Sequence, residues 1–171
     1  MAQLPILRFP DPRLHTVARP VDAVDARIQQ LADDLIETMY AHDGIGLAAT
    51  QVDMHERLLV MDTTDQRDQA VILINPEIIE RSAEMAVNEE GCLSVPDIYD
   101  RVERHARVTV RALGRDGRSL DLQVEGLAAV CVQHEMDHLM GKVFVEYLSP
   151  LKRDRIRTKM LKKAREEQRG D

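Results

Sequence analysis

His134 and His138 stand four residues apart with Glu135 beside the first, in the run Gln133-His134-Glu135-Met136-Asp137-His138. On a helix, positions i and i+4 are separated by roughly 40° around the axis, so both imidazoles leave one face and can hold one ion. Glu135 is close enough to take a proton from water on that ion without ligating it. The chemistry open to such a trio is metal-assisted hydrolysis. As a bare pentapeptide the pattern also fits a helix that carries two polar histidines, so the rest of the chain must supply what a metal centre still needs.

That need is a third protein ligand, leaving the fourth position for water. In the metzincin arrangement a glycine follows the second His by three residues and another His follows three later. Here Gly141 fits, but Phe144 occupies the last place. The thermolysin-like arrangement uses a glutamate well downstream, and the candidates Glu166 and Glu167 lie in a strongly basic segment that reads as exposed. Cys131 precedes His134 by three residues and shares its face, but three ligands on successive turns of one helix would crowd the ion along a line. Cys92, within Glu89-Glu90-Gly91-Cys92-Leu93-Ser94-Val95-Pro96, approaches from a separate loop ahead of the long hairpin and can complete a tetrahedron. The preferred ligands are Cys92, His134 and His138. A water in the open position of such an ion loses its proton near pH ~7, and Glu135 would accept it.

Three segments now stand in order: Gly44-Ile45-Gly46-Leu47-Ala48-Ala49-Thr50-Gln51, Glu90-Gly91-Cys92-Leu93-Ser94, and the run ending at His138. On these the chain resembles the bacterial peptide deformylases over nearly its whole length. The resemblance implies removal of the formyl group from N-formylmethionyl nascent peptides. Hydroxide would attack the formyl carbon, Glu135 would pass its proton to the leaving amine, and formate would depart. The Gln51 side-chain amide and the Leu93 backbone N–H would stabilise the oxyanion. The implied native ion is Fe2+, for which Zn2+, Ni2+ or Co2+ can substitute.

By the same resemblance, Gly44, Ile45 and Gly46 run beside the substrate, and a bare Gly46 would let peptide backbone pair edge to edge with the chain. Glu90 and Gly91 would approach from the other side, while Leu127, Val130 and Cys131 would line a pocket for the methionine side chain. Gly44 also reads as the cap of a preceding helix, and Leu127 and Val130 as ordinary core. Tyr99 departs from the pattern: it stands where an arginine often contacts substrate backbone, and a phenol lacks that bidentate fork. By the same resemblance the basic C-terminal helix would dock on the large ribosomal subunit; by its own pattern it reads equally as a solvated amphipathic surface helix. The rival readings are a zinc peptidase and a metal-stabilised ribosome-binding protein without activity.

These residues need a scaffold, and 171 residues that are 44% hydrophobic can bury a core without cross-links. Two cysteines, no apolar run of bilayer length and no secretory signal point to a reducing cytoplasm, with no membrane partner. The net charge of −7 weighs against a generic nucleic-acid binder, yet residues 149–171 carry nine Lys/Arg against four Asp/Glu, a net +5 that leaves −12 elsewhere.

Pro5, Pro10, Pro12 and Pro20 make the first twenty residues extended. Val24, Ile28, Leu31, Leu35 and Met39 recur at helical spacing, ending near Gly44. Strands are expected over 57–62 and 70–75, and a hairpin over 108–112 and 120–124 around Gly114-Arg115-Asp116-Gly117. A helix over 126–140 carries the histidines and stops at Gly141. Ser149-Pro150 opens a last helix, with Ile156, Met160 and Leu161 toward the core. His15, His42, His55 and His105 read as surface residues. The expected fold is α+β: a single domain over 1–171 with antiparallel β-sheets around a central HExxH helix, and a C-terminal helix over 149–171.

Overall fold

Asp25 opens the first helix by accepting a hydrogen bond from the Ile28 N–H at 3.0 Å, and helix α1 (Ala26–Ala41) then turns Ile28, Leu31, Leu35 and Met39 inward. At its C-terminus the left-handed residue is Asp43 rather than Gly44. The Asp43 N–H donates to the Tyr40 carbonyl and the Gly44 N–H to the Met39 carbonyl, a Schellman pair that closes the helix. Gly44 therefore belongs to the cap through its amide, not through its backbone freedom. The structure, a computed structural model, describes residues 2–170.

The main sheet follows from strands β1 (Gly46–Ala48), β2 (Leu58–Met61), β3 (Val71–Arg81), β6 (Arg107–Leu113) and β7 (Ser119–Glu125), ordered β1-β2-β3-β6-β7 with every neighbouring pair antiparallel. Its β2 strand is apolar without alternation because both faces are covered. Leu58 and Val60 pack with α1, whereas Leu59 and Met61 pack with helix α2 (Gly126–Leu139). The strand expected over 70–75 continues to Arg81 through Pro76. Register slips between Ile74 and Glu77, and Asn75 takes a φ of 52° with its amide fixed to both backbone groups of Val21. A bulge tolerates a proline that a regular central strand would not.

A second hairpin, β4 (Met85–Cys92) and β5 (Val95–His105), was not apparent in the sequence. It forms a two-stranded ribbon in which Met85, Val87 and Tyr99 face outward while Glu90 and Arg104 are buried, so no apolar period marks its inner face. Cys92, expected in a loop, is the last residue of β4 and pairs with Val95 across the turn. Helix α3 (Pro150–Arg169) starts where expected: the Ser149 hydroxyl accepts from the Lys152 N–H, and Ile156 and Met160 are buried with Phe144 and Val102. Leu161, expected to face the core, is 43% exposed.

Helix α2 ends in a second Schellman pair, Gly141 N–H to His138 carbonyl and Lys142 N–H to Asp137 carbonyl. Here the glycine is required twice. Its φ is +79°, and a Cβ would stand 2.6 Å from the His15 carbonyl oxygen. Gly141→Ala is expected to lower the unfolding free energy by at least about 1–3 kcal/mol, read by urea denaturation. A loss within experimental scatter would show that the cap is not under this constraint.

Candidate metal centre

Cys92 reaches the centre of the molecule because β4 and β5 lose register beside it. Glu90 pairs with Asp100 and Cys92 with Val95, so Gly91 alone opposes the four residues 96–99. Those four form a bulge, a device that re-aims side chains near sites. The Tyr99 ring folds back over Gly91, where a Cβ would meet it at 2.5 Å. From the other side, α2 brings two imidazoles down one face. The Cys92 Sγ lies 3.3 Å from the His138 Nε2, which lies 3.3 Å from the His134 Nε2. One donor atom from each residue falls within 4.8 Å of the others.

These donors suit a metal ion. Both ring nitrogens and the sulfur converge on one point, and the opposite nitrogen of His134 is already fixed by the Glu90 carboxylate at 2.9 Å. Glu90 is in turn gripped by the Arg104 guanidinium at 2.6 and 2.9 Å, and Arg104 also reaches Asp137 at 2.8 Å. Asp137 accepts from the Tyr147 hydroxyl at 2.7 Å. Glu90 thus spends both oxygens on an arginine and a ligand imidazole, although it also borders the cleft where the sequence suggested substrate contact. Arg104, Asp137 and Tyr147 gave no sequence signal, because their convergence depends on hairpin register and on a helix face.

Burial works against charge on His134, but the Cys92 sulfur and Glu90 outweigh it and hold that imidazole well above its usual range. Burial and the neighbouring His134 charge push His138 well below it. Burial pushes the Glu135 carboxyl up to about 7 against the pull of His134 and Arg104. Its Oε1 lies 3.6 Å from the His134 Nε2, and among the described residues its Oε2 has no hydrogen-bond partner. Cys131 is set apart from the donors: its thiol, pushed well up by burial, donates to the Ile45 carbonyl at 3.5 Å.

A cleft of about 500 Å³ opens on His134, Glu135 and Cys92. Gly44, Ile45, Gly46, Gly91, Leu93, Tyr99, Leu127, Val130 and Cys131 all line it, as do Arg8 and His42, which the sequence did not single out for the site. Gly46 is also constrained by packing. A Cβ there would lie 2.7 Å from the Cys131 Sγ and 2.9 Å from the Glu135 Cγ, so the bare position also lets α2 pack close while Gly46 lines the cleft. Gln51 is not on the cleft wall. Its Oε1 accepts from the Ala48 N–H at 2.9 Å, and its amide faces the Ser94 hydroxyl at 3.0 Å and the Cys92 Sγ at 3.5 Å.

Donors of one thiolate and two imidazoles, fixed from behind and open toward a cleft beside a carboxylate, belong to the class of hydrolytic metalloenzymes. Comparison with known proteins narrows the class. The family model for polypeptide deformylase matches residues 3–154. Peptide deformylase 1 of Ralstonia nicotianae is 62% identical over 95% of this chain and 96% of its own length. A peptide deformylase of Acinetobacter baumannii is 54% identical over 99% and 96%. Among solved structures, the Legionella pneumophila peptide deformylase superposes with a TM-score of 0.93 at 45% identity, covering 98% of this chain and 99% of that one. The Ehrlichia chaffeensis peptide deformylase in complex with actinonin gives 0.93 at 41% over 95% and 98%. The chain belongs to the polypeptide deformylase family. It is a metalloenzyme of α+β fold, and among the described residues no helix is long and apolar enough to cross a membrane.

Because Glu90 fixes the ring of His134, Glu90→Gln is expected to weaken metal binding by about 10–100-fold, measured by competition with a chelator. Unchanged affinity would show that the carboxylate serves only Arg104.

Proposed function

We propose that the protein hydrolyses the formyl C–N bond of N-formylmethionyl peptides at the centre held by Cys92, His134 and His138. The observation that carries this reading is the convergence of the three donors within 4.8 Å beside Glu135, at the cleft. When bound, the ion polarises the formyl carbonyl and lowers the pKa of a neighbouring water. Ferrous iron is the ion proposed, with zinc, nickel or cobalt able to replace it.

Each further role falls to a group of this chain. Glu135 takes the water proton and returns it to the leaving amine, so formate departs from a free N-terminus. The Gln51 amide, oriented by the Ala48 N–H at its oxygen, and the Leu93 N–H donate to the oxyanion. Peptide backbone lies along β1, an edge strand of its sheet, beside Gly44, Ile45 and Gly46. Gly91, the flank of Glu90 and Tyr99 form the facing wall. Leu127, Val130 and Cys131 receive the methionine side chain.

The substrate is made in the cytoplasm, and we place the enzyme there, docked on the large ribosomal subunit through α3. Arg155, Lys159, Lys162 and Arg169 recur at three- to four-residue multiples and are exposed, on a side away from buried Ile156 and Met160.

Protein purified without oxygen and loaded with ferrous iron is expected to release formate from formyl-Met-Ala-Ser. Absence of turnover with metal bound would refute the reading. Glu135→Gln is expected to keep its metal and lose about 10²–10⁴ in rate, whereas Cys92→Ala loses the metal. Replacing Arg155, Lys159 and Lys162 with glutamate is expected to abolish salt-sensitive co-sedimentation with large ribosomal subunits, and undiminished binding would rule out α3 as the contact.

A further inference from the structure

We propose that Arg8 sorts substrates by charge, binding a carboxylate that the peptide carries beyond its formylated residue; this rests on the deformylase reading above. Arg8 is the one Arg or Lys among the residues lining the cleft, whose rim otherwise presents carboxylates at Asp43, Glu89 and Asp97.

Chain geometry puts it there. The N-terminal segment runs extended and is pinned by the Leu7 N–H to the Gln51 carbonyl at 2.7 Å and by the Phe9 N–H to the Ser94 carbonyl at 2.8 Å. Leu7 and Phe9 pack against the cluster around Phe144. In an extended chain the intervening side chain leaves on the opposite side, and Arg8 borders the cleft. Its backbone is therefore held by the two segments that flank the ligand Cys92.

The guanidinium is also held in place. Its Nη1 donates to both oxygens of Glu167 on α3 at 2.7 Å. A guanidinium carries five N–H donors in a fixed fork, and among the described residues the Nε and Nη2 of Arg8 make no hydrogen bond. Those donors remain for a ligand. With the formyl group at the metal centre, residues past the first must extend along or out of the cleft whose wall Arg8 forms. A carboxylate there meets a directed fork, while an uncharged isostere does not.

The test compares kcat/KM for C-terminally amidated formyl-Met peptides with Glu or Gln at the second or third residue. The protein is expected to favour Glu at one of these positions by roughly two- to fivefold, through KM, with the preference shrinking as salt is raised. In Arg8→Gln the ratio is expected to fall to about one, and in Arg8→Glu below one. Glu167→Gln lies outside the cleft and frees Nη1, so it is expected to raise the ratio. A Glu/Gln ratio near one in the unaltered protein overturns the proposal. So does a ratio that survives Arg8→Gln while both peptides slow equally, since that would mark Arg8 as structural. Turnover of the Gln peptides without discrimination defeats this proposal alone, whereas turnover of no peptide defeats the deformylase reading and this one with it.

Discussion

A carboxylate buried between an imidazole and a guanidinium governs this molecule. Glu90 and Arg104 are 4% and 5% exposed, and neither charge can be left alone in such surroundings. Satisfying them fixes several things together. Glu90 on β4 must oppose the β5 segment that carries Arg104, and α2 must present His134 to one carboxylate oxygen and Asp137 to the far side of the guanidinium. A buried ion pair of this kind contributes little net stability against an apolar replacement, but losing one partner costs several kcal/mol, roughly 3–5. Its effect is to penalise every other register of the hairpin and every other rotation of the helix.

The apolar remainder makes that precision affordable. Because α2 is packed on the sheet through Ala129, Val132 and Leu139, while α1 covers the opposite face of β2, the helix backbone has little freedom to shift. Its polar groups are then accounted for one by one. The Gln133 amide donates to the His105 and Ala129 carbonyls, and the Thr50 hydroxyl donates to the His138 carbonyl. Among the described residues one oxygen of the Glu135 carboxylate on this helix has no hydrogen bond, which is what the proton-handling role proposed for it requires.

Features that depend on local pattern could be read in the sequence, and those that depend on register could not. The i, i+4 histidines, the apolar stripe of α1, the Gly114–Gly117 turn and the Ser149-Pro150 start each carry their own geometry within a few residues, and each appears where expected. The β4–β5 ribbon was invisible because it exposes Met85 and Val87 and buries Glu90 and Arg104, and with it went the reason for Gly91 and the partners of Glu90. Gly46 shows the same limit. A bare position was legible, but that it also makes room for the side chains of Cys131 and Glu135 depended on a contact between residues far apart in the chain.

Helix α3 links the buried core to the rim of the cleft. One of its faces inserts Ile156 and Met160 among Phe144 and Val102, and burial of each such side chain is worth about 1.5–3 kcal/mol. Further along, the same stripe sends Lys163 and Glu167 to Asp97 and Arg8 on the cleft wall, and Lys152 in the first turn pairs with Asp100. Those pairs are exposed and screened, so they contribute far less than the apolar contacts. The helix is therefore anchored by packing, while its ion pairs only orient side chains at the rim. Charge changes at those rim pairs are thus separable from the geometry imposed by Glu90, which rests on the buried ion pair and on packing.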